Sequence, residues 1–132
     1  MEEVVIGLET AGLRLTPVAP DAHRPVEALT VTISCPGLTA SHTSHEYPDF
    51  TSLARFFAEL ADNWRGWQGE RSYESLEGDF KIRATHNGHV LLHIDLASLS
   101  GFAEWHVQVV VQLDPGEQLS RVATEVAELL SA

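Results

Sequence analysis

The sequence predicts an α+β fold: a mostly antiparallel sheet of about six to seven strands with two amphipathic helices packed on one face. Three observations predict it. Apolar and polar residues alternate through several short runs, the pattern of strands with one face buried. Two other runs repeat apolar residues at helical spacing. Glycine, proline and asparagine punctuate the boundaries between runs. With 132 residues, 44% apolar and 20% charged, the chain suits one domain, residues 1–132.

Val4, Ile6 and Leu8 alternate, "TAG" turns the chain, and Leu13 and Leu15 alternate before Pro17. Three prolines mark Pro17 to Pro25 as a loop or edge. Leu29, Val31, Ile33 and Cys35 alternate with Thr30, Thr32 and Ser34, a strand that ends at the Pro36-Gly37 turn. The polar "LTASHTSHEY" reads as an edge strand, and the N-terminal strands are expected to extend the same sheet.

The period then changes. Phe50, Leu53, Ala54, Phe57, Leu60, Ala61 and Trp64 form one helical stripe of about four turns, which assigns Trp64 to the core. Asp49 reads as the N-cap and Gly66 as the residue that ends the helix in a left-handed conformation. Beyond the stop, Trp67 reads either as a lid over the sheet edge or as an exposed anchor flanked by Arg65 and Arg71.

The second half alternates more cleanly. Phe80, Ile82 and Ala84 share one face; Val90, Leu92, Ile94 and Leu96 follow, then Trp105, Val107, Val109, Val111 and Leu113. A closing helix carries Leu119, Val122, Ala123, Val126 and Leu130. "DPGE" starts it, with Asp114 as cap, Pro115 at the first helical position and Glu117 reaching back.

Register follows from side-chain parity. A two-residue Asn87-Gly88 loop would set apolar residues against polar ones throughout. A three-residue loop, His86-Asn87-Gly88, pairs Ala84 with Val90, Ile82 with Leu92 and Phe80 with Ile94. The next hairpin then pairs Ile94 with Trp105 and Leu92 with Val107, to within two residues. On the opposite face Lys81, His93 and His106 fall in one row, and Asp79, Asp95 and Glu104 in the next. Such a face is a candidate contact surface for a partner. Two histidines near three carboxylates could also bind a divalent transition metal, with His93, His106 and Asp95 as its ligands, or work as an acid–base pair, although no metal is assigned. "HTSHE", His42 to Glu46, is a poorer ligand pair, because a strand points His42 and His45 to opposite faces.

Charge narrows the partner. Nineteen carboxylates against eight Lys and Arg give −11, a charge that repels phosphate, so a nucleic acid is not expected. A protein partner is, and a basic one would be steered to the surface. The acidic N-terminus lacks a signal peptide and no run is long enough to cross a membrane, so the expected location is cytoplasmic. The single Cys35 forms no internal disulfide and reads as a small core residue. No phosphate-cradling loop, nucleophile elbow or Cys-x-x-Cys occurs, so no catalytic residue and no cofactor is assigned.

The "LA..WRGW.G" helix end, the "SLEG" step into a strand, the "GHV" hairpin, the late tryptophan strand and "LDPGEQL" resemble an actinobacterial family of small acidic uncharacterised proteins over residues 50–130. The layout is also similar to that of WapI-type immunity proteins of polymorphic toxin systems, acidic cytosolic domains that bind and block a toxin. That resemblance implies a non-enzymatic binding protein that neutralises a toxin. Two other readings stand beside it: an enzyme built on His93 and His106, and a self-associating structural subunit.

Overall fold

In a computed structural model, which describes residues 2–18, 25–99 and 101–130, the chain forms eight strands and two helices. The order is β1 (Val4–Leu8), β2 (Ala11–Pro17), β3 (Ala28–Cys35), β4 (Leu38–His45), α1 (Thr51–Asp62), β5 (Arg71–Glu74), β6 (Phe80–His86), β7 (Val90–Ser98), β8 (Trp105–Leu113) and α2 (Glu117–Leu130). Most of the segment between Pro17 and Pro25, read as a loop, lies outside the described residues.

The strands make two antiparallel four-stranded sheets, β1-β2-β3-β4 and β5-β6-β7-β8, rather than one sheet of six to seven strands. Alternation tells which way side chains point but not which edges pair. The strand that went unread is β5, whose sequence RSYE contributes only Tyr73 to the core. The N-terminal strands do not extend the second sheet. β1 and β2 touch β8, and β4 touches β7, across the interior. One hydrophobic cluster joins the inner faces of both sheets to the apolar stripes of both helices.

The first sheet turns Val4, Ile6, Leu13, Leu15, Leu29, Val31 and Ile33 inward, all essentially inaccessible to water. Its outer face is a ladder of hydroxyls, in which Thr30 bonds Thr43 at 3.1 Å and Thr32 bonds Ser41 at 2.8 Å. Cys35, expected in the core, is only half-buried at the hairpin end of β3.

Helix α1 buries Leu53, Phe56, Phe57 and Leu60, and it packs on α2 and β5. It begins at Thr51, so Phe50 holds the cap position, although the Asp49 carboxylate accepts the Thr51 N–H at 2.9 Å. It ends at Asp62, where the Asn63 side-chain amide donates to the Glu59 carbonyl at 2.8 Å. That early stop overturns the core assignment of Trp64, which leaves the helical stripe and is 44% exposed. Gly66 lies three residues beyond the cap, its N–H bonded to the Asn63 carbonyl at 2.9 Å and its φ at 139°.

Helix α2 buries Leu119, Val122, Ala123, Val126 and Leu130 as the stripe predicts, and Leu129 as well. The backward-reaching contact at its start is made by Gln118, whose side-chain oxygen accepts the Asp114 N–H at 2.8 Å, and not by Glu117. The helix itself starts at Glu117, two residues after Pro115.

The β1–β2 hairpin depends on a close approach. Gly7 and Gly12 are register partners, and a Cβ on Gly12 would fall on the carbonyl oxygens of Ile6 and Leu8. Both oxygens belong to the paired strand backbone and cannot swing away. Gly12→Ala is therefore expected to destabilise the fold by about 1–3 kcal/mol, the usual cost of overpacking. Chemical denaturation of the two proteins measures it, and an unchanged midpoint would contradict the close approach.

Candidate functional site

The second sheet carries the polar residues singled out in the sequence, and its register decides which of them meet. Parity holds: Phe80, Ile82, Ala84, Leu92, Ile94 and Leu96 all point inward. The rows are shifted from those expected. The hairpin loop is Asn87-Gly88-His89, closed by the Asn87 N–H to the His89 carbonyl at 3.0 Å, so His86 pairs with Val90, Ala84 with Leu92 and Ile82 with Ile94. Gly88, at φ 102°, takes the positive backbone angle that such a loop requires. In the next hairpin Leu92 pairs with Val111 and Ile94 with Val109, four residues along β8 from the expected partners.

Each shift is an even number of residues, so no side chain changes face, but the outward rows are recomposed. One row is Arg83, His93 and Val110; the next is Lys81, Asp95 and Gln108. His106 lies opposite Ala97, one row further along. His93 and His106 thus belong to different rows, which separates the expected pair. Among the described residues no group of three or more His, Cys, Asp and Glu is placed to hold a metal ion.

What the register does bring together is a shallow groove of about 550 Å³ lined by Asp79, Lys81, Arg83, Asp95, His106 and Gln108, with Gly78, Ala97 and Leu99 completing it. Asp95 holds its polar side. Its Oδ1 accepts from the Gln108 side-chain amide and pairs with His106 Nε2 at 3.1 Å. His93 lines a neighbouring hollow of about 210 Å³ with Arg83, Asp95, Gln108 and Val110. Glu104 is exposed just before β8 and lines neither. Arg83 and Gln108 were not singled out from sequence, because their place in the row depends on the shifted register.

Asp79 departs most from expectation. Read as an exposed acid of the polar face, it is 4% exposed. Its parity is outward, but β4 of the other sheet supplies partners at this point. His42 Nε2 lies 2.7 Å from Oδ2, while the Ser44 and Ser75 hydroxyls donate to Oδ1 at 2.9 and 2.6 Å. The Ser75 hydroxyl also accepts the Phe80 N–H at 3.1 Å. His42 packs edge-on against Trp105, with ring centroids 6.2 Å apart. Burial is the largest single influence on the Asp79 carboxyl and pushes its pKa up. The hydrogen bonds from Ser75, His42 and Ser44, with the charge interaction of His42, together outweigh it, so the pKa lies below the ordinary 3.8. The second carboxylate of this kind is Glu46, which accepts from Ser52 at 3.1 Å, from the Tyr73 hydroxyl at 3.2 Å and from the Leu76 N–H. Burial pushes the Tyr73 phenol well above its ordinary range, and the Glu46 charge adds to the effect.

The Trp67 loop lies near the other end of β6. Trp67 is half-buried, its indole N–H donates to the Ala84 carbonyl at 3.1 Å, and its ring meets His86 edge-on at 5.1 Å. These contacts hold the ring against the end of β6. Arg65 stacks over the exposed Trp64 ring at 5.1 Å, and Arg71 is exposed on β5 opposite Ala84. These three residues therefore stand apart from the groove.

A family model matches residues 5–132. The chain belongs to DUF6228, a family of unknown function. The match takes in the first sheet as well as the motif-bearing region from residue 50 onward. No curated protein and no solved structure matches this DUF6228 chain. No helix among its described residues is long and apolar enough to cross a membrane.

Two predictions follow from this geometry. Because the Asp79 pKa is lowered by folding, its contribution to stability is complete above pH 3.8 and is lost as the pH falls through the depressed folded value. Asp79→Asn is expected to lose about 3 kcal/mol at pH 7, the cost of breaking a buried charged network. It should also show a shallower loss of stability on acidification than the unaltered chain; equal acid profiles by denaturant titration would contradict the assignment. At the other end of β6, His86 Nδ1 accepts the Gly88 N–H at 3.2 Å, which leaves Nε2 to donate to the Trp64 carbonyl at 2.8 Å. Nitrogen-15 NMR of the neutral ring should find the proton on Nε2, and the opposite tautomer would overturn the contact.

Proposed function

We propose that this DUF6228 chain is a protein-binding domain whose contact surface is the outer face of the β5–β8 sheet. The observation that carries the reading is the composition of that face. Val110 is 58% exposed and shares its row with Arg83 and His93, beside the Lys81–Asp95–Gln108 row. An exposed apolar side chain beside hydrogen-bonding groups is a common element of a specific protein interface. Four strands about 4.8 Å apart and up to nine residues long present a face of roughly 20 by 30 Å, close to the area one partner contributes to a standard interface. The net charge of −11 favours a partner with a basic surface. The sequence resemblance to an actinobacterial family and to WapI-type immunity proteins adds that the partner is a toxin which the domain neutralises.

A photo-crosslinking residue placed at Val110, and separately at Ser41 on the hydroxyl face of the first sheet, tests the surface in the cell that naturally makes the protein. The expected outcome is a discrete adduct from position 110 and none from position 41. Mass spectrometry of the adduct then shows whether the captured protein is a toxin. Val110→Glu should weaken binding of that protein at least about tenfold, as a charge set into an apolar contact does. Adducts from position 41 alone would move the interface to the other sheet.

A further inference from the structure

We propose that the groove at Lys81 binds a small organic carboxylate with an aliphatic body. The site lies on the face assigned to the protein partner, but it does not rest on that assignment. It follows from which charges in the groove are already satisfied. Asp95 is held by His106 and Gln108, Asp79 by His42, Ser44 and Ser75, and Arg83 by Glu70 at 2.8 Å. Among the described residues the Lys81 ammonium makes no ion pair within 4.0 Å and no hydrogen bond, although Glu74 and Asp95 flank it across the strands. Of the charged side chains that line the groove, Lys81 alone has neither a hydrogen bond nor an ion pair among the described residues.

The rest of the groove sets the ligand class. Asp79 pairs through its carbonyl with the Ala97 N–H at 2.9 Å, one row along from Lys81 and Asp95. Ala97 and Leu99 therefore form an apolar wall beginning about 7 Å from the Lys81 row, two residues of strand rise away. A carboxylate seated on Lys81, with the Arg83 guanidinium in the same groove, would lay an aliphatic chain of several carbons along that wall. The volume of about 550 Å³ lies within the range of small-molecule sites. A bare inorganic anion would leave the wall unused.

Lys81 is the only lysine in the chain, which gives the test a single reporter. Reductive methylation with carbon-13 formaldehyde labels Lys81 and the N-terminal amine alone and keeps the positive charge. Titration of the labelled protein with hexanoate is expected to shift the Lys81 resonance saturably while the N-terminal resonance stays in place. Hexanol and inorganic phosphate at the same concentrations should leave it unmoved, and Leu99→Ser should weaken hexanoate binding several-fold. Absence of a saturable shift up to tens of millimolar, roughly the limit of measurable affinity, would overturn the site. An equal response to phosphate would overturn it too, because that marks an unselective counterion. Neither result bears on the crosslinking outcome at Val110.

Discussion

The register of the β5–β8 sheet is the constraint on which the rest of the molecule depends. Ala84, Leu92 and Val111 stand in one row and Ile82, Ile94 and Val109 in the next, so three strands commit their apolar side chains to a shared core. A slip of one residue would turn Lys81, Arg83, His93 and Asp95 into that core and is forbidden by the cost of burying them. A slip of two keeps every side chain on its face but changes its neighbours. The composition of the groove is thus set by a finer choice than the one that sets the fold. The Asn87-Gly88-His89 loop makes that choice for β6 and β7.

Two carboxylates join the sheets where apolar packing alone would leave their relation open. Asp79 gathers donors from β4 and from Ser75, and Glu46 gathers donors from α1, β5 and the turn that follows β5. Directional bonds to a charged group fix positions in a way that contacts between methyl groups do not. Asp79 also lines the groove, so the element that locks the sheets together forms part of the surface assigned to ligands. The position of the groove wall is therefore coupled to the packing of β4 against the second sheet.

Much of this architecture was legible in the sequence. Alternation identified six of the eight strands and the inward face of each, β4 was read as a polar edge strand with no face assigned, and helical spacing identified both helices with nearly all their buried residues. These properties are local, written within a dozen residues. The division into two sheets was not legible, because strand edges carry no signal of which neighbour they meet. Nor was β5, too short to show a period. Trp64 fitted the helical stripe by spacing alone, but Asn63 caps the helix before it. The pairing of His42 with Asp79 joins residues 37 apart through the meeting of two sheets. His42 was weighed only as a ligand pair with His45, and Asp79 only as an exposed acid of the polar face, so local pattern gave no sign that they meet. For the groove, sequence reasoning found Asp79, Lys81, Asp95 and His106 but placed them in the wrong rows, and it missed Arg83 and Gln108 for the same reason.

The most direct test of the account is to map cross-strand nuclear Overhauser contacts from the backbone of Leu92. The structure predicts contacts to Ala84 on one side and to Val111 on the other. Contacts to Ile82 and Val107 instead would mean that both hairpins adopt the shifted alternative. The groove described here, with its Lys81–Asp95–Gln108 row, would then not exist.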